Sequence, residues 1–132
     1  MNIKEILKKI IEFIGNFSPF LYRPPYKIHG EKFEIHQNYQ DIWPSYPHIH
    51  FKENEFKLDI YQGELYDSKN KKYKGPVSDK DMKKIWNDKK ILEIIIKARK
   101  NKPINVGKLP DLPDEWITAE NKEWIKEYEK TL

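Results

Sequence analysis

The sequence predicts an α+β domain, a small antiparallel β-meander of three or four strands packed against α-helices, and three observations predict it. Between residues 48 and 66, apolar and polar side chains alternate with period two, interrupted by turn signals. Between 79 and 100 the apolar spacing changes to that of amphipathic helices. The 132-residue chain is 38% hydrophobic, which suffices for one core and is too short for two sizeable ones. Residues 1–132 therefore read as a single domain: an N-terminal helix over 3–14, a sheet core over about 31–77, helices over about 79–100, and a C-terminal arm and helix over 102–132.

In chain order, Ile3, Ile6, Leu7, Ile10 and Ile14 recur at helical spacing opposite Lys4, Glu5, Lys8, Lys9 and Glu12. This stripe is expected to pack on the core. Lys8, Lys9 and Glu12 also break the apolar run that a signal peptide needs, and no stretch approaches the ~20 apolar residues of a membrane span. A cytoplasmic protein without a membrane partner is the expectation. Pro19, Pro24, Pro25 and Gly30 make 18–30 an aromatic-studded loop, and Phe33 and Ile35 alternate with polar neighbours as a strand. A second loop, 37–47, holds Tyr39, Trp43, Pro44, Tyr46 and Pro47, a composition that packs down as a lid or core flank.

The meander follows. With Glu53-Asn54 at the tip of the first hairpin, Ile49 faces Leu58 and Phe51 faces Phe56, while His50 faces Lys57 and His48 faces Asp59. A one-residue slip would move one strand's apolar set to the wrong face, so the pattern itself supports the register. A turn at Gln62-Gly63 would pair Ile60 with Leu65 and Asp59 with Tyr66. Residues 73–77 return as a further short strand. Ser78, with Asp81 three residues later, starts a helix that places Met82, Ile85 and Trp86 inward. Asn87-Asp88 breaks it, a largely buried second helix runs over about 89–100, and a last helix is capped near Thr118. Trp116 and Trp124 read as packing anchors.

Charge is unevenly distributed. Residues 67–110 hold 14 Lys/Arg against 5 Asp/Glu, and residues 111–132 hold 3 against 7, within a chain of net charge +4. Such a middle suits a polyanion and leaves an acidic tail, although the tail can also neutralise the middle within one molecule. Lys69, Lys71, Lys72 and Lys74, beside Tyr66 and Tyr73, interleave cations with aromatics as single-stranded nucleic acid prefers; Lys83 and Lys84 continue the belt. Lysines outnumber arginines here, which favours diffuse phosphate contact over base reading. A solvated helix face would carry the same lysines. Cysteine is absent, which excludes disulfides and thiolate metal sites.

Chemistry concentrates on Pro47-His48-Ile49-His50. Residues i and i+2 of a strand share a face, and the inferred register adds Asp59, Lys57, Tyr61 and Tyr66 to it. A carboxylate at Asp59 could fix one imidazole's tautomer while His48 and His50 move protons and Lys57 stabilises a phosphorane-like charge. That set suits metal-independent RNA cleavage, in which the substrate's 2′-hydroxyl is the nucleophile, and it calls for no cofactor. Two other uses stay open. The histidines could ligate a metal with His36 or Asp59 as a third donor, or simply cover the open face of a sheet with Asp59 as a cross-strand partner.

From Pro47 to about Lys100 the order is Pro-His-x-His strand, hairpin with Gly63-Glu64, Gly75-Pro76-Val77-Ser78, then Lys-rich helices. In this order the chain resembles a group of small uncharacterised bacterial Pro-His-x-His domains found near toxin–antitoxin genes, and also nuclease-type tips of interbacterial toxins. In that group the histidine pair follows two prolines, whereas here Ser45-Tyr46 precedes Pro47. The expectation is a small nucleic-acid-directed protein, a ribonuclease-type toxin acting on RNA. The alternative is a non-catalytic immunity protein or phage-encoded inhibitor that occludes a partner's nucleic-acid-binding surface.

Overall fold

The period-two segments pair into one antiparallel sheet in the computed structural model, which describes residues 2–7, 21–37, 41–101 and 109–131. Its strands are β1 (Leu21–Tyr22), β2 (Phe33–His36), β3 (His48–Phe51), β4 (Phe56–Asp59), β5 (Glu64–Asp67) and β6 (Tyr73–Pro76), ordered in space as in sequence. The fold is thus mixed α+β. Six strands exceed the three or four expected because β2 joins the meander directly and β1 adds one more edge. A two-residue strand carries no readable alternation, so β1 lay hidden in a proline-rich loop.

One face of the sheet is apolar. Phe33, Ile35, Ile49, Phe51, Leu58 and Leu65 are buried against three helices: α1 (Asp79–Trp86), α2 (Lys89–Asn101) and α3 (Ala119–Lys130). Ser78 caps α1 by accepting from the Asp81 N–H, and Thr118 caps α3 by accepting from the Asn121 N–H, both at 3.2 Å. Between α1 and α2, Asp88 Oδ1 accepts from the Lys90 N–H at 3.0 Å, while its Oδ2 accepts from the Tyr22 and Tyr26 hydroxyls. One carboxylate therefore caps a helix and ties the β1 edge to it. The C-terminal arm docks on its own domain. Trp116 and Ile117 are buried, Trp116 Nε1 donates to Asp79 at 2.8 Å, and Asn87 bonds the Trp116 carbonyl, the Thr118 N–H and Asn121.

The first hairpin has the expected register: His48 opposes Asp59, Ile49 opposes Leu58 and His50 opposes Lys57. The second does not. Asp59 pairs with Glu64, Leu58 with Leu65 and Lys57 with Tyr66, a shift of two residues from the expected pairing of Ile60 with Leu65 and Asp59 with Tyr66. The reason lies in the turn. Asp59 Oδ1 accepts from the Tyr61 and Gln62 N–H groups at 2.9 and 3.1 Å, and the Asp59 carbonyl accepts from the Gly63 N–H at 2.8 Å. Ile60 is pulled out of the strand into the core, where its carbonyl accepts from Trp86 Nε1. Gly63 has φ +70°, and a Cβ there would lie 2.9 Å from the Trp116 ring, so no other residue closes this turn without strain. A two-residue shift preserves parity, so the paired residues of β4 and β5 keep their expected faces. Tyr61, expected on the histidine face, instead sits in the turn with its ring against Trp86 and Arg99 of the helical layer.

Residues 3–7 are helical, with Ile3, Ile6 and Leu7 exposed where packing on the core was expected. The remainder of the expected 3–14 helix, and Tyr39 of the 37–47 loop, lie outside the described residues. Among the described residues, no helix is long and apolar enough to cross a membrane.

Candidate functional site: a buried histidine pair beside an aromatic and lysine edge

The polar face of the sheet carries a row of cross-strand partners, Glu34–His50–Lys57–Tyr66–Tyr73, running from β2 to β6. Neighbouring strands lie about 4.8 Å apart, so His50 and Tyr66 are separated by roughly 10 Å with Lys57 between them. At the β2–β3 end the loop 41–47 folds back over this face. It carries cis peptide bonds at Trp43-Pro44 and Tyr46-Pro47. Ser45, Tyr46 and Pro47 are buried, and the Tyr46 hydroxyl donates to the Gln37 carbonyl at 2.8 Å.

The loop determines what the two histidines can do. His48 is fully buried, and its Nδ1 lies 2.9 Å from the Ser45 carbonyl. A carbonyl only accepts, so in the neutral ring Nδ1 carries the proton and Nε2 carries the lone pair. His48 Nε2 is 3.0 Å from His50 Nε2, which must then donate. In neutral His50 the remaining acceptor is therefore Nδ1. Burial holds both rings at a pKa of about 4, assisted at His50 by the Lys57 cation; the Ser45 bond works the other way at His48 without prevailing. Both imidazoles are neutral at pH 7. His50 keeps part of its surface accessible, whereas His48 offers none.

Asp59 sits opposite His48 in register, but its side chain accepts from backbone N–H groups of its own turn. Burial also raises its pKa, with neighbouring Glu64 adding to the rise. The group that orients His48 is the Ser45 carbonyl. Lys57, four-fifths buried or more, ion-pairs with Asp41 of the covering loop, and this bond is the largest of the causes holding the Asp41 carboxyl below its usual range. His36 Nε2 lies 3.4 Å from Glu34 Oε1, and its ring centroid is 6.4 Å from that of His50. Among the described residues, no three His, Asp or Glu side chains are arranged to hold a metal ion.

The β5–β6 end is built differently. Trp43 packs edge-on to Tyr66 at 5.3 Å between ring centroids, and Tyr66 packs edge-on to Tyr73 at 5.7 Å. Lys71 Nζ stands 5.2 Å from the Trp43 ring, and Lys57 Nζ stands 6.0 Å from it. Tyr73 is half exposed, and Lys69, Lys71, Lys72 and Lys74 are all exposed around the hairpin. Lys83 and Lys84 stand on the outer side of α1, in the helical layer that covers the opposite face of the sheet. The lysine belt is therefore divided, and only its hairpin part joins the histidine row.

Sequence reasoning missed Asp41, Trp43 and Ser45. The aromatic content of 37–47 signalled a loop that packs down, but nothing in it marked which side chain would meet Lys57 or which carbonyl would meet His48. Compared with known proteins, the chain matches no family model, no curated protein and no solved structure.

Proposed function

We propose that this is a small protein directed at single-stranded RNA, of ribonuclease type, in which His50 is the proton-transfer group. The supporting observation is the cross-sheet row that sets His50 and Lys57 beside an exposed aromatic and lysine edge. Tyr73, Tyr66 and Trp43 offer ring faces and edges to bases, and the hairpin lysines track phosphates. His50 Nδ1 takes the proton of a 2′-hydroxyl as that oxygen attacks the adjacent phosphorus. The bond from phosphorus to the 5′-oxygen breaks, and the proton returns to that leaving oxygen, giving a 2′,3′-cyclic phosphate and a 5′-hydroxyl. Lys57 stabilises the charge on the phosphorane-like transition state. His48, out of reach of substrate, is a positioning residue that receives the His50 Nε2–H bond. Resemblance to nuclease-type toxin tips agrees with this reading.

The test is cleavage of mixed-sequence RNA by purified protein, with and without chelator, beside His50→Ala and the double variant His48→Ala/His50→Ala. Chelator-resistant cleavage that both variants lose is expected. Intact RNA with the wild-type protein overturns the reading. The complete burial of His48 favours a second reading, in which the pair is structural and the protein is an inhibitor that occludes a nucleic-acid-binding partner. That protein would keep its effect in both variants.

A further inference from the structure

We propose that the Nε2 atoms of His48 and His50 form a two-nitrogen seat for a divalent transition-metal ion of tetragonal preference, copper(II) ahead of nickel(II) and zinc(II). The two nitrogens are 3.0 Å apart. Two imidazoles bound to one ion at about 2.0–2.1 Å each, and separated by that distance, subtend roughly 95° at the metal. A right-angled bite is that of square-planar or tetragonal coordination, whereas a tetrahedral zinc site would open the nitrogens to about 3.3 Å. Both ligands come from one strand, at positions i and i+2 of β3, so the spacing is held by backbone and needs no loop to close.

The surroundings are those of a ligand pair. His48 Nδ1–H donates to the Ser45 carbonyl, which fixes the tautomer with the Nε2 lone pair turned toward His50, as an outer-shell carbonyl does for a metal-binding imidazole. Ser45 is itself fixed, since its Oγ donates to the Pro47 carbonyl at 2.8 Å and accepts from the Ile60 N–H at 3.3 Å. On binding, one N–H···N bond is exchanged for two nitrogen–metal bonds. The His50 proton moves from Nε2 to Nδ1 through solvent, and no net proton is released. Among the described residues no group of three His, Asp or Glu side chains forms here, so what is proposed is a two-nitrogen seat and not a complete protein cage.

Binding at this pair would also place a proton on His50 Nδ1 and switch off the base. The ion is thus a reversible inhibitor of the cleavage proposed above, and this regulatory arm alone rests on that reading. The experiment titrates copper(II) into the full chain at pH 7, following calorimetry and the electron paramagnetic resonance spectrum, with His50→Gln, His48→Gln and His29→Ala beside the wild type. One ion per chain is expected, with superhyperfine coupling to two imidazole nitrogens. His50→Gln should weaken binding at least tenfold while circular dichroism stays native, and His29→Ala should bind as wild type. His48→Gln tests the buried partner where it folds; His50→Gln decides the matter where it does not. No saturable binding at micromolar copper, or equal binding by His50→Gln, overturns the seat. Copper binding without any RNA cleavage removes the ribonuclease reading and leaves the seat standing. Cleavage without copper binding does the reverse.

Discussion

The two ends of the cross-sheet row are built on opposite principles. At the β2–β4 end, polar groups are fully or partly buried and each is held by a partner: His48 by the Ser45 carbonyl, His50 by His48, Lys57 by Asp41. At the β5–β6 end, Tyr73 and the lysines of the hairpin stand in water, linked by ring edges and cation–π approaches. Burying a polar group is costly unless its bonds are satisfied. A fold that does so at one end of a row and not at the other has separated preorganisation from capture. Under the proposed function, the first end would move a proton at a fixed place and the second would meet a flexible polyanion of varied sequence.

The largest effect should come from the locked end. His50→Ala is expected to lower RNA cleavage by about 10²–10⁴-fold, the range for a lost general base. RNA affinity, read by fluorescence anisotropy, should change less than threefold. A parallel fall in affinity would erase the distinction between the two ends. Because the base form of His50 is complete above a pKa of about 4, cleavage by the wild type should rise as pH climbs through 4 and stay level to neutrality. A profile that rises instead through 6.5 would mean that burial does not act on this ring.

Stability should show the same asymmetry. Both histidines titrate lower in the folded chain than at the ordinary value of 6.5. Below 6.5 the unfolded chain takes up protons that the folded chain refuses, so stability present above 6.5 is lost as pH falls toward 4. The shift at buried His48 corresponds to about 3 kcal/mol, with a smaller share from the partly exposed His50. Urea midpoints at pH 7 and pH 4.5, compared between wild type and His48→Gln/His50→Gln, measure it. An equal loss in both proteins would assign acid sensitivity elsewhere.

The open end should give milder and more graded effects. Tyr73→Ala is expected to weaken RNA binding about tenfold through lost stacking. Lys71→Ala should weaken it for all sequences alike and reduce the slope of log affinity against log salt by about 0.7, the value of one phosphate contact on a single strand. Lys83→Ala/Lys84→Ala, on the helical face, should leave both quantities unchanged. If the helix variant matched Lys71→Ala, RNA would have to wrap both faces of the sheet.

What could be read from the sequence divides along similar lines. The β3–β4 register was legible because it rests on strict alternation around a short turn, and two apolar pairs agree with it. The caps at Ser78 and Thr118 were legible because a cap is local chemistry. The burial of His48 was not, since it depends on a loop of prolines and aromatics returning over a face that alternation alone marks as solvent. The side of the sheet on which Lys83 and Lys84 fall followed from the helix pattern, but its consequence for the lysine belt required the layers to be assembled. The β4–β5 register failed for a sharper reason, since alternation fixes parity and cannot see a shift of two. What decided it was the competition for Asp59 between a strand and a side-chain-capped turn, with Ile60 drawn into the core beside Trp86.

That competition yields the smallest predicted effect and the clearest separation of two roles for one residue. If Asp59 oriented His48, Asp59→Asn would remove the charge that stabilises an imidazolium, and cleavage would fall by orders of magnitude. In the turn, Asn supplies the same Oδ1 acceptor to the Tyr61 and Gln62 N–H groups and suits that turn equally well. It also removes the repulsion from Glu64 that helps to raise the Asp59 pKa. Asp59→Asn is therefore expected to cleave within twofold of wild type and to match its urea midpoint, whereas Asp59→Ala should lose about 1 kcal/mol with the turn's side-chain bonds. A large activity loss in Asp59→Asn with stability unchanged would return the carboxylate to the histidine pair and take that role from the Ser45 carbonyl.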